Sequence, residues 1–274
     1  MSMTINTNLV SMNAQRNQGT SQMSLATSMQ RLSSGLRVNS AKDDAAGLGI
    51  AERMNAQVRG MNVAVRNAND AISLSQTAEG ALGKVGDMLQ RMRELSVQSA
   101  NATNGVADRA SLDAEYQQLG AEIGRTLTST KFNGIAILSG GAGAQDFQVG
   151  ANSGDTVTIT TTDMSADATV TAVTGGDLTS VANANTALTN IDTALDTING
   201  ERALYGAAQN RFDNIVSTLQ VSAENQAASR SRIMDANFAE ETANLSRAQI
   251  LQQAGTAMIA QANQLPQQVL SLLR

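Results

Sequence analysis

Leu25, Met29, Leu32 and Leu36 follow one another at steps of four, three and four residues, and Ile5, Leu9 and Met12 keep the same spacing nearer the start. That interval returns a side chain to one face of an α-helix, so the beginning of the chain predicts a helix with one apolar seam. Ser33-Ser34-Gly35 ends it. The small polar run Asn39 to Asp44 suits a turn and then the start of a second helix, where Asp43 and Asp44 favour the positive end of the helix dipole. From Ala45 to Ala100 there is no Pro, and Ala78, Leu82, Val85, Leu89 and Met92 again alternate by four and three. Unbroken, this helix would reach ~80 Å at 1.5 Å per residue. Asn101 to Gly105 closes it, and a third helix from Asp108 to about Thr128 points Leu112, Leu119 and Ile123 inward.

The middle of the chain changes period. After the turn Phe132-Asn133-Gly134, the Gly-rich stretch Ser139 to Gly143 leads to Phe147 and Val149, and Thr156-Val157-Thr158-Ile159-Thr160 alternates with period two. Joined through Gly150 to Gly154, these two short strands predict a hairpin with a four- or five-residue loop. The Thr/Ala/Gly stretch that follows, as far as Ser180, reads as exposed loop. Heptad spacing then resumes through Leu188, Ile191, Leu195, Ile198, Tyr205, Phe212, Val216 and Leu219, with Arg202 and Gln209 in the seam. A last amphipathic segment carries Leu251, Met258, Ala262, Leu265, Val269 and Leu272.

The pattern predicts a mainly α fold: a long antiparallel coiled-coil bundle made from paired N- and C-terminal halves, with a small β hairpin in the middle. A lone helix with one apolar stripe is marginal in water, so each terminal seam needs the other. Even paired, the two ends make a thin rod whose remaining apolar surface favours contact with further copies, which predicts self-association. Composition agrees. Aromatic residues are 2% of the chain, Trp is absent, and small aliphatic residues and Met fill narrow seams between helices.

With no Cys and no His, the chain lacks thiolate chemistry, the commonest general base and the usual zinc ligands. No enzyme, cofactor or metal is predicted. A net charge of −5 with dispersed Lys and Arg predicts neither nucleic acid nor an anionic membrane as partner. Met1 to Asn6 lacks the basic and apolar regions of a secretory signal, which predicts cytoplasmic residence unless a dedicated machine exports the chain.

Ile5-Asn6-Thr7-Asn8, Arg31-Leu32-Ser33-Ser34-Gly35 and Asn39-Ser40-Ala41-Lys42-Asp43-Asp44-Ala45-Ala46-Gly47-Leu48 resemble the N-terminal signature of bacterial flagellin. Ser231-Arg232-Ile233-Met234-Asp235-Ala236, Gln249 to Ala254 and Ala260 to Arg274 resemble its C-terminal half. The resemblance implies an inner domain of residues 1–41 with 236–274, a helical rod with the hairpin over 42–235, and no outer variable domains. It implies a structural subunit that polymerises into the flagellar filament used for swimming, through the seams at Ile5, Leu9, Met12, Leu25, Met29, Leu32, Leu36, Leu251, Met258, Leu265, Val269 and Leu272. It also implies export through the flagellar type III channel to an extracellular address. Implied partners are other copies, an export chaperone at the C-terminal helix, and the hook-associated junction and filament cap proteins.

Gln90, Arg91, Arg93, Leu95 and Gln98, with Leu112 and Glu115 on the facing helix, are similar to the flagellin segment recognised by a vertebrate Toll-like receptor. Packing between helices or subunits is the plainer reading of the same residues. Ser153, Thr156, Thr158 and Thr160 are candidate O-glycosylation sites, although Thr also suits exposed strands through its β branch. Lys42, Asp43 and Asp44 read as a helix start with an ion-pair role between subunits rather than a metal cluster. The twelve Met residues read as adaptable packing. Alternatives are a hook–filament junction protein, which would cap or join rather than propagate, a surface adhesin on flagellin helices, and an enzyme-bearing flagellin, against which the lack of His argues.

Overall fold

A computed structural model describes residues 7–141 and 143–271, with side chains as far as residue 264. Ile5 and Leu272 of the terminal seams, and the side chains of Leu265 and Val269, lie outside the described residues. The chain is mainly α and divides into two compact units, residues 1–56 with 225–274 and residues 57–224, so that each unit draws on both halves of the chain.

In unit 57–224 the core follows the longest helices, α2 (Ala45–Ala100) and α5 (Val181–Met234). On α2 the buried stripe runs Ala64, Ala68, Ala71, Ser75, Ala78, Leu82 and on to Met92 and Ser99 by steps of four and three. On α5 every seventh residue from Ile191 to Phe212 is buried, and the second heptad track, four residues on, carries Leu195, Arg202, Gln209 and Val216. There Gln209 donates to Glu79 at 2.9 Å and Arg202 lies 3.9 Å from the same carboxylate. The helices run antiparallel, since Arg93 meets Asp192 while Glu79 meets Gln209. Helix α3 (Val106–Ser129) turns back along α2, started by the Asp108 carboxylate, which accepts the Gly105 N–H at 3.0 Å. Its Tyr116, Ile123 and Leu127 are buried, with Leu112 and Leu119 half-buried against the same core.

Two hairpins follow. The Phe132-Asn133-Gly134 turn carries short strands that the sequence did not reveal, β1 (Lys131–Phe132) and β2 (Ile135–Ala136). Asn133 and Gly134 have φ of 47° and 82°, the two left-handed residues that a tight primed turn requires. The expected hairpin pairs β3 (Ala144–Gln148) with β4 (Thr156–Thr160), in register from Ala144 opposite Thr160 to Gln148 opposite Thr156. The Val149 N–H donates to the Asp155 carbonyl at 2.8 Å and closes the tip over 150–154. Val157 and Ile159 point into the core and the alternate Thr residues point out. Phe147 meets the edge of Phe212 with ring centres 5.8 Å apart. The tip also lies close on α2: a Cβ on Gly60 would stand 2.8 Å from the Ala151 Cβ.

The stretch to Ser180 is not an exposed loop. It contains α4 (Ala168–Thr174), capped by Asp167, and buries Met164, Val170, Val173 and Leu178. Tyr116 donates its hydroxyl to the Val173 carbonyl at 2.9 Å, Ser99 donates to the Leu178 carbonyl at 2.8 Å, and Asp113 accepts the Leu178 N–H at 2.8 Å. The seven β-branched and small residues of α4 are too few to show a helical period, and Thr-rich segments read as strand or loop.

In unit 1–56 with 225–274, α1 (Leu9–Ser34) and α6 (Phe238–Ser271) pair antiparallel. Asn8 donates to the Ala262 carbonyl at 2.7 Å, Ser11 to Asn263 at 2.8 Å, and Arg31 to Glu241 at 2.9 Å. Gly35, in the left-handed region at φ 71°, ends α1. At the same level Leu36 bridges Asp235, the Ala236 N–H donates to the Gly35 carbonyl, and Arg37 donates to the Ile233 carbonyl at 2.7 Å. Among the described residues no helix is long and apolar enough to cross a membrane.

Candidate interaction surfaces

The fully buried positions between α1 and α6 are small or polar, with Leu25, Leu32, Leu245 and Ile259 half-buried beside them. Ser11 and Ser28 on α1, and Glu241, Ala248 and Ala262 on α6, are buried. Between them Gly255 lies against the Gln18 side chain so closely that any Cβ there would collide with the amide oxygen. Glu241, 6% exposed, is paired with Arg31, so a charge that would be costly alone is compensated at the end of the seam. Small residues let two helices approach closely, and many of the large apolar side chains then stand elsewhere.

They stand outward. Leu9, Val10, Met12, Met23 and Met29 on α1, and Phe238, Ile250, Leu251 and Met258 on α6, are all exposed. Thus the residues read as one apolar seam divide: Leu25, Leu32 and Leu36 are half-buried, whereas Met29 faces solvent. Leu251 and Met258, one heptad apart, share the outward side of α6. Val10, Met23, Phe238 and Ile250 were not among the expected seam residues. Their signal in the sequence is an apolar side chain on a helix at a position off the inward stripe.

Around the start of α2 the polar cluster serves the backbone. Asp43 accepts the N–H groups of Asn39 and Ser40 and the Ser40 hydroxyl, and the Ser40 and Asn39 amides hold its carboxyl below the usual carboxylate range. Asp44 accepts the Gly47 N–H at 2.8 Å and caps α2. Among the described residues no group of three or more His, Cys, Asp or Glu could hold a metal ion.

The α2–α3 face carries the segment from Gln90 to Gln98. Arg91 donates to Glu115 across the helices and to Glu94 on its own, both at 2.9 Å, and these carboxylates, Glu115 first, raise its pKa. Arg93 pairs with Asp192 on α5 at 2.7 Å. Gln90, Arg91, Arg93, Gln98 and Glu115 are exposed and Leu112 is half-buried, but Leu95, at 1% exposure, is core. Arg91 and Leu95 therefore do not present one surface. Ser153, Thr156, Thr158 and Thr160 are exposed on the hairpin, with the Thr158 hydroxyl donating to Asp146.

The family model for the bacterial flagellin N-terminal helical region matches residues 5–143, and that for the C-terminal helical region matches residues 188–273. A flagellin of Halalkalibacterium halodurans is 47% identical over 272 residues, which span 99% of this chain and 100% of that relative. Flagellin A of Vibrio anguillarum is 35% identical over an alignment of 379 residues that takes in 100% of both chains, so the relative has insertions that this chain lacks. The crystal structure of Bacillus cereus flagellin, 39% identical, matches with a TM-score of 0.51 over 60% of this chain and 94% of that one. With both terminal regions matched and a relative of its own length covered throughout, the chain belongs to the bacterial flagellins, as a short form of the family.

Proposed function

We propose that this flagellin polymerises through the outward apolar sides of α1 and α6, each copy's terminal helices being covered by those of its neighbours. As a flagellin it is a structural subunit of the bacterial flagellar filament, the helical polymer used for swimming. The observation that carries the assignment is the row of large apolar side chains left exposed on the α1–α6 pair, Leu9, Val10, Met12, Met23 and Met29 on one helix and Ile250, Leu251 and Met258 on the other. On this reading Leu9, Met12, Met29, Leu251 and Met258 are contact residues, Leu25, Leu32 and Leu36 support both sides, and Ile5, Leu265, Val269 and Leu272 are assigned to the same contacts on sequence spacing alone. Residues 1–41 with 236–274 act as one domain and 42–235 as the other, a division supported by the paired helix breaks at Gly35 and Asp235.

The test is a chain bearing Leu9→Gln, Met23→Gln, Leu251→Gln and Met258→Gln, beside chains lacking residues 5–36 or 251–273. All three should stay partly helical by circular dichroism and form no filaments in electron micrographs. Normal filaments from any of them would overturn the assignment.

No catalytic activity is assigned. We extend the proposal to export through the flagellar type III channel to the cell exterior, with junction and cap proteins as later neighbours and a chaperone on the C-terminal helix before export, a contact that the exposed apolar side of α6 supports. Recognition by a Toll-like receptor would use the exposed Gln90, Arg91, Arg93, Gln98 and Glu115, with Leu112 and Leu95 as their support. A reporter assay comparing the chain with Arg91→Ala tests this, and equal signals would remove it. Glycans on Ser153, Thr156, Thr158 or Thr160 would add mass to native filaments.

A further inference from the structure

We propose that Met12, Met23, Met29 and Met258 form a reversible oxidation site that switches off polymerisation of the free chain. The inference rests on the assembly surface assigned above.

These four side chains are 55%, 66%, 57% and 62% exposed. All four belong to α1 and α6. In the unit formed by residues 57–224, Met61 is 7% exposed, Met92 0% and Met164 1%. Met88 in that unit is half-buried, as are Met54 and Met234, so an oxidant in solution meets a graded series of thioethers in which Met12, Met23, Met29 and Met258 are the most exposed among the described residues. Few other groups compete, because the chain has no Cys and no Trp, and both Tyr residues are buried.

The oxidant is a hydroperoxide. The sulfur lone pair attacks the outer peroxide oxygen, the O–O bond breaks, and for hydrogen peroxide the products are the sulfoxide and water. Sulfur loses two electrons and the peroxide gains them. Reversal by methionine sulfoxide reductases consumes two thiols and yields thioether, disulfide and water.

The thioether is apolar and adaptable, which suits a contact between helices. A sulfoxide carries a strong hydrogen-bond acceptor; around Met23 the groove holds donors such as Asn17, Ser24 and Arg247, but Leu9, Val10, Ile250 and Leu251 elsewhere on the outward faces have none to offer. Burying it there leaves a polar group without a partner, a penalty equivalent to about tenfold or more in association. Once a neighbour covers the surface, the same sulfurs are shielded, so the free chain is the sensitive form.

The experiment treats the dissociated full-length chain with hydrogen peroxide, maps oxygen gain by peptide mass spectrometry, and measures the critical concentration by sedimentation and electron microscopy. Met12, Met23, Met29 and Met258 should gain oxygen before Met61, Met92 and Met164, and the critical concentration should rise about tenfold or more. The two sulfoxide reductases with dithiothreitol should restore it. A chain with all four positions changed Met→Leu, helical by circular dichroism, should have a critical concentration that peroxide does not move, whatever its own starting value. The switch is overturned if oxidised chains polymerise like untreated ones, or if the Leu variant loses assembly to peroxide as the original does. Intact filaments separate the two levels: slow oxidation of these four Met there keeps the assembly surface even when the switch fails, whereas oxidation as fast as in free chains removes the surface itself.

Discussion

Tyr116 and Tyr205 are both buried, yet only Tyr116 donates its hydroxyl, to the Val173 carbonyl; the Tyr205 oxygen has no partner among the described residues. Tyr116→Phe should therefore cost about 1 kcal/mol, whereas Tyr205→Phe should leave stability unchanged or raise it, both read from the denaturant midpoint. Burial pushes both phenols from 10.0 up to about 12, helped at Tyr116 by Asp113 and Asp177 and at Tyr205 by Glu201. The folded state favours the neutral phenol. That contribution is whole below pH 10 and is lost as pH rises from there through about 12. Phenolate absorbance and helical circular dichroism should then change together on alkaline titration. A phenolate signal that appears near pH 10 with the helix intact would show the rings to be accessible. Neither tyrosine's bonding was legible in the sequence, because the partner of Tyr116 is a carbonyl of a helix that the sequence did not reveal.

The elements differ in how far they could be read. Helix α2 was legible because its inward stripe is built largely from apolar residues, Leu82, Val85, Leu89 and Met92 among them, at helical spacing. The period-two pattern of Thr156 to Thr160 marked β4 for the same reason. The inward side of the α1–α6 pair was legible only in part, through half-buried Leu25 and Leu32, since Ser11, Gln18, Ser28, Gly255 and Ala262 carry no hydrophobic signal, while the strong signals at Met29 and Leu251 belong to the outward side. What sets the register of this pair is polar, with Arg31–Glu241 at one end and Asn8 and Ser11 at the other. Arg31→Ala should cost about 3 kcal/mol, because it leaves the buried Glu241 carboxylate without its partner. The helix content of the terminal segments should melt earlier by circular dichroism. Arg31→Met combined with Glu241→Leu should recover most of the loss. A single variant that melts like the original would mean that the pair contributes nothing to register.

For the whole molecule, family and general architecture were legible from the two ends of the chain, where the residue patterns matched, and the proposed contact surface took shape only once the helices were paired. That pairing has a thermal consequence. The α1–α6 pair leaves Leu9, Val10, Met12, Met23, Met29, Ile250, Leu251 and Met258 exposed, so much of its apolar area is left for contacts between copies. Transfer of apolar area out of water is entropy-driven near room temperature and lowers the heat capacity, and it weakens on cooling. The critical concentration for polymerisation should therefore rise from 25 °C toward about 4 °C, with sedimentation as the measurement, and a fall would show that polar contacts dominate the joint. A polymer joined in this way is cold-labile: it sheds subunits in the cold while each subunit keeps its fold, and it regrows on warming without any chemical change.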